Sequence, residues 1–131
     1  MWVRCNPNPA QKEVSDCVIR AIAIALNMRW IDVYDDLCDI GRREFNMPSA
    51  DAVWGKYLYE MGFEPFQLPK TCPQCVTIEQ FAGIFHEGVY IIGTGGHAVA
   101  VVNGDYFDSW DSGRETVSLR RARRSERSRW R

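Results

Sequence analysis

The pattern of apolar and polar positions changes its period part-way along the chain. From Cys17 to Leu26 the run CVIRAIAIAL is apolar nearly all round and broken only by Arg20, which predicts a helix buried on most of its surface. Trp30, Val33, Tyr34, Leu37 and Ile40 recur at helical spacing and predict a second helix over about 31–43, with Gly41 near its end. Val53, Tyr57, Leu58 and Met61 share one face of a third over about 50–61, capped by Ser49 and stopped by Gly62. Thr77-Ile78-Glu79-Gln80 has the capping-box pattern and opens a shorter fourth. After it the period becomes extended. Residues 89–92, 97–102, 106–110 and 116–119 read as strands, and Asn103-Gly104 is a two-residue hairpin turn between the second and third. Helices first and an antiparallel sheet afterwards predict an α+β chain.

Length and composition narrow the class. At 131 residues the chain fits a single domain large enough to bury its own core, expected over 1–119, with 120–131 as an arginine-rich tail, disordered unless Trp130 docks. The longest strongly apolar run, 18–28, contains Arg20 and is too short to span a bilayer. The first residues carry no apolar stretch followed by a cleavage site, so a cytoplasmic protein is expected. Five cysteines, at no regular spacing, predict reduced thiols rather than a disulfide framework. The net charge of -1 hides an asymmetry: residues 1–113 hold 8 Lys+Arg against 15 Asp+Glu, and residues 114–131 hold 8 Arg against 2 Glu.

Chemistry concentrates at both ends of this pattern. Asn6-Pro7-Asn8-Pro9 is an extended or turning lead-in, because each residue before a proline is pushed out of the helical region. Asp16 suits a helix N-cap, which puts Cys17 in the first turn. A cysteine there is either a small buried hydrophobe or a nucleophile whose thiolate the helix N-terminus stabilises. Gln11, six residues earlier, is either an ordinary exposed residue or an amide donor that completes an oxyanion hole with the Cys17 backbone N–H. His97 follows Gly95-Gly96, whose lack of side chains leaves room for a substrate. It either fills a strand end or serves as a base. Asp108 lies across the Asn103-Gly104 turn. Pairing outward from that turn sets Val102 against Asp105, Val99 against Asp108 and His97 against Trp110. That register assigns His97 and Asp108 to opposite faces, so their contact is expected to need a bulge or a longer turn. Asp111 is the alternative partner, although Asp-Ser-Gly there favours a turn.

HAVAVV followed by Asp108-Ser109-Trp110 resembles the papain-like cysteine peptidases, in which a base histidine opens a strand and an Asn-Ser-Trp tripeptide on a later strand orients it. The stretch from Gln11 to Asp16-Cys17 is similar to the bacteriocin-processing leader peptidases, which place a glutamine at this interval before an Asp-Cys pair. The resemblance implies a papain-like fold and a peptidase without metal or organic cofactor, acting on a peptide or protein substrate. It implies Cys17 as nucleophile, His97 as general base and then acid, Asp108 as the group that fixes the imidazole tautomer, and Gln11 as oxyanion donor. Gly95, Gly96 and Trp110 would border the substrate, with Trp110 shielding the His97–Asp108 contact. Aspartate stands where papain has asparagine, and Val18 where leader peptidases usually have glycine.

Other motifs are weaker. Cys72-Pro73-Gln74-Cys75 is one C-x-x-C without further ligands at zinc spacing, so a loop is expected over a metal-binding adaptor or a redox pair. His86 is read as structural, near the end of the fourth helix. The arginine-rich tail could touch nucleic acid, but the acidic body argues against a dedicated reader. The rival functions are a papain-like peptide-binding module without activity and a cell-wall peptide amidase or endopeptidase.

Overall fold

The computed structural model describes residues 1–66 and 76–123. The chain is α+β: four helices against a six-stranded mixed sheet. In order the elements are β1 (Trp2–Arg4), α1 (Cys17–Leu26), α2 (Trp30–Glu44), α3 (Asp51–Glu60), β2 (Phe63–Pro65), α4 (Ile78–Ile84), β3 (Val89–Gly93), β4 (Ala98–Val102), β5 (Asp105–Asp108) and β6 (Leu119–Arg123). The sheet order is β1-β5-β4-β3-β6-β2. All pairings are antiparallel except β1 on β5, which is parallel, so the wholly antiparallel sheet expected from the sequence is corrected to a mixed one. β1 and β2 have three residues each and leave no run long enough to show a period.

Both faces of the central strands are covered. Ala98 and Ala100 of β4 and Ile91 of β3 join α1, α2 and α3 in one core, whereas Val99, Val101, Tyr90 and Ile92 join α4 in the other. Side chains alternate between faces along a strand, and two covered faces make β3 and β4 read as unbroken apolar runs. The alanines face α1, which contributes Ala21, Ala23 and Ala25 to the same core. With only methyl groups between them, helix and strand backbones approach closely, and Cys17 comes down on the start of β4.

Local chemistry corrects several boundaries. Asn103 (φ 50°) and Gly104 (φ 84°) are both left-handed, as a primed two-residue turn requires, and Val102 pairs with Asp105. No bulge follows. Asp108 lies two positions from the residue opposite His97, and two positions along a strand return to the same face, so the opposite-face expectation is overturned. Asp16 makes no side-chain cap on α1, and Ser49 does not cap α3, whose N-cap is Ala50. The capping box of Thr77 and Gln80 is formed as the sequence predicts. α4 ends at Ile84, and His86 lies exposed beyond it.

The last strand is not 116–119. Thr116 makes an isolated bridge with Thr77, and β6 runs through Arg120, Arg121 and Arg123 between β3 and β2. The ordered domain therefore continues past 119, into residues read as tail. Its arginines lay their apolar stems on the sheet and their charges over aromatic rings: the Arg121 guanidinium is 5.2 Å from the Trp54 ring and that of Arg123 is 5.9 Å from Phe63. Arg123 Nη2 also donates to the Ala25 carbonyl at the end of α1 (3.2 Å). Cys72-Pro73-Gln74-Cys75 and Trp130 lie outside the described residues. No described helix is long and apolar enough to cross a membrane.

Candidate active site

Cys17, His97 and Asp108 meet where α1 begins, β4 begins and β5 ends. His97 Nε2 is 2.5 Å from Asp108 Oδ2, and the His97 ring is close enough to the Cys17 thiol to stabilise its charged form. With Nε2 held by Asp108, Nδ1 is the ring nitrogen left for the thiol. The Ala98 backbone N–H favours the thiolate as well. Asp108 is buried and fully engaged: Ser112 Oγ donates to Oδ2 at 2.6 Å and the Ser109 N–H to Oδ1 at 2.8 Å. Its backbone carbonyl accepts from the Cys5 N–H (2.9 Å) and the Trp2 indole (3.2 Å), which ties the end of β5 to β1.

These contacts set the protonation states. Burial alone would lift the Cys17 thiol, but the hydrogen bonds from His97 and Ala98, with the positive charges of His97 and Arg20, hold it below its ordinary value. Burial alone would lower His97, but Asp108 and Cys17 raise it to about 9. Burial opposes the Asp108 carboxylate too, and hydrogen bonds from His97, Ser112 and Ser109 hold it below the ordinary range. All three shifts favour the charged forms, thiolate, imidazolium and carboxylate in sequence. A thiolate of this kind attacks electrophilic carbon, and the imidazolium beside it can release a proton to a leaving group.

Arg20 is the site residue that the sequence reading missed. It is 8% exposed, with Nε 3.0 Å from Asp16 Oδ1 and Nη1 3.4 Å from Asp108 Oδ1 and 2.5 Å from Ser109 Oγ. One guanidinium thus joins the residue before Cys17 to the residue behind His97. Asp16 accepts in addition from Asn8 Nδ2 (3.2 Å) and Trp30 Nε1 (2.9 Å), so its oxygens are committed away from the helix end. That is why it is no cap. Ser112 was read only as part of a turn. A charged residue four positions after an aspartate, inside an otherwise apolar helix, is the signal in the sequence by which Arg20 could have been found.

The other predicted residues fall around this centre. The Trp110 ring, opposite His97 across the hairpin, lies 5.1 Å from the imidazole at 35° and stays 45% exposed. Gly95 and Gly96 form the exposed turn before His97, with open space where a side chain would stand. Asp111 is turned elsewhere, accepting from Tyr106 Oη (2.7 Å) and the Gly113 N–H (3.0 Å). Gln11 does not present the free donor expected of it. Its backbone is left-handed (φ 55°), and its Nε2 donates to the carbonyls of Asn6 (2.8 Å) and Asn8 (2.9 Å), which uses both amide hydrogens. The Cys17 backbone N–H, in the first turn of α1, is one of the donors that helix geometry leaves without an intrahelical partner.

Compared with known protein families, with curated proteins and with solved structures, the chain matches none.

Proposed function

We propose that this chain is a cysteine peptidase of papain-like fold, hydrolysing a peptide or isopeptide bond. The observation that carries the reading is the series Cys17, His97, Asp108, in which His97 stands between the thiol and the carboxylate that it hydrogen-bonds. Thiolate Sγ attacks the carbonyl carbon, and the carbonyl oxygen takes the negative charge beside the helix N-terminus. As the C–N bond breaks, His97 gives its proton to the leaving amine and a thioester remains on Cys17. Neutral His97 then takes a proton from water as the water oxygen attacks the thioester, and collapse releases the acid and returns the thiolate. Asp108 holds the imidazole in place through both halves. The reaction needs Cys17 reduced, which suits a cytoplasmic setting.

One observation favours a second reading, a peptide-binding module without turnover: the Gln11 amide is spent on its own loop. Incubation with a mixed peptide library, read by mass spectrometry, separates the two. Peptide cleavage that disappears in Cys17→Ala is expected. Peptide retention without cleavage, equal in Cys17→Ala, would establish the binding module.

A further inference from the structure

Among the described residues, the polar contacts of the Arg20 side chain all go to Asp108 or to a residue next to Cys17 or Asp108. Nε forms an ion pair with Asp16 Oδ1 at 3.0 Å, while Nη1 is 3.4 Å from Asp108 Oδ1 and 2.5 Å from Ser109 Oγ. The helix gives no other reason for a cation here, since Ala21, Ile22, Ala23 and Ala25 are buried in an apolar core. Taking one guanidinium and two carboxylates out of water is costly, and an apolar set of similar volume is often as stable. What the ionic set supplies and an apolar one does not is fixed geometry.

The two carboxylates belong to different elements. Asp16 stands directly before Cys17 at the start of α1, and Asp108 ends β5 and holds His97. The start of α1 has no side-chain cap of its own. Its first turn is tied instead through the Asp16 carboxylate, on which Arg20, Asn8 and Trp30 converge. Asp108 is clamped at both oxygens: Oδ1 takes Arg20 and the Ser109 N–H, and Oδ2 takes His97 and Ser112. Nε and Nη1 belong to one planar group, so the spacing between the two ends of this bridge is set by covalent geometry.

We infer that Arg20 is a positioning residue for the reaction, a rigid spacer that keeps Cys17 within reach of His97 by fixing Asp16 against Asp108. The inference rests on the peptidase reading and adds to it what sets the spacing of the Cys17–His97 pair. Arg20 also acts on Cys17 through its charge alone, which favours the thiolate. Lysine separates the two effects. It keeps the cation but offers one ammonium in place of a planar fork, so it meets one carboxylate and loses the span.

The test measures how strongly Cys17 and His97 feel each other. Ring-proton NMR gives the His97 titration midpoint with Cys17 present and in Cys17→Ala, with the exposed His86 as reference, and the difference is the coupling of the pair. In the wild type Cys17 is expected to raise the midpoint by about one pH unit or more. In Arg20→Lys that difference should shrink by about half or more, although the cation stays. Asp16→Asn, which keeps Arg20 on Asp108 and removes the charge at its other end, should shrink it as well. Near-UV circular dichroism shows which variants are folded, and either one decides. A difference that keeps its wild-type size in a folded variant would overturn the inference and leave Arg20 a brace for stability only. A wild-type difference near zero would show instead that Cys17 and His97 are no pair, so that the peptidase reading itself had failed, and the inference with it.

Discussion

Replacing Arg20 with methionine is expected to cost about 3–5 kcal/mol of folding stability, the scale for removing one partner from a buried ion pair. The guanidinium stands between two carboxylates that are themselves almost wholly buried, Asp16 at 3.0 Å and Asp108 at 3.4 Å. Asp108 would keep His97 and Ser112, but Asp16 would be left with neutral donors only, from Asn8 and Trp30. Methionine fills a similar volume, so the loss reads the charge and not a cavity. Arg20→Lys should recover part of it, because one ammonium cannot reach Asp16 through Nε and Ser109 through Nη1 together. Urea unfolding of the three proteins measures this. A loss below about 1 kcal/mol, the value of an exposed pair, would show that the network is not the brace described.

The second large effect is on histidine titration. In Asp108→Ala, His97 should fall from about 9 toward or below the ordinary value near 6.5, because burial still lowers it and only Cys17 still raises it. Ring-proton NMR across pH reads this directly, and a value unchanged near 9 would remove Asp108 from the role given to it. The sign of the stability effect follows from the same shifts. His97, raised on folding, adds stability that is complete below about 6.5 and lost as pH rises through about 9. Cys17, depressed on folding, adds stability that is complete above 9.0 and lost as pH falls through its folded value. Where folded Cys17 is ionised and unfolded His97 is neutral, the two slopes cancel, since folding only moves a proton from sulfur to nitrogen. Cys17→Ala therefore uncovers a downward slope that begins near pH 6.5 and ends below 9, because Cys17 is itself one of the groups that raise His97.

The elements with a long period were legible in the sequence. CVIRAIAIAL gave α1 with its observed ends, and Asn103-Gly104 set the register that brings Cys17's partners to one corner. What was hidden depends on contacts far apart in the chain. β1 is recognisable only because β5 lies beside it, and β6 carries arginines whose burial becomes favourable only over Trp54 and Phe63. The cap expected of Asp16 lost to a tertiary competitor, since Arg20, Asn8 and Trp30 converge on its carboxylate. The offset of two residues between Asp108 and the position opposite His97 puts both on one face of the pleated hairpin, so no bulge is needed for them to meet.

The peptidase chemistry requires His97 to hold Cys17 as a thiolate. Site-resolved alkylation by iodoacetamide, followed by mass spectrometry across pH in the wild type and in His97→Ala, tests it with Cys5 as an internal control, because burial raises that thiol. Cys17 is predicted to label well below its ordinary thiol range and ahead of Cys5 and Cys38, and to lose that advantage when His97 is removed. Labelling of Cys17 no faster than the other two, and indifferent to His97→Ala, would contradict the account.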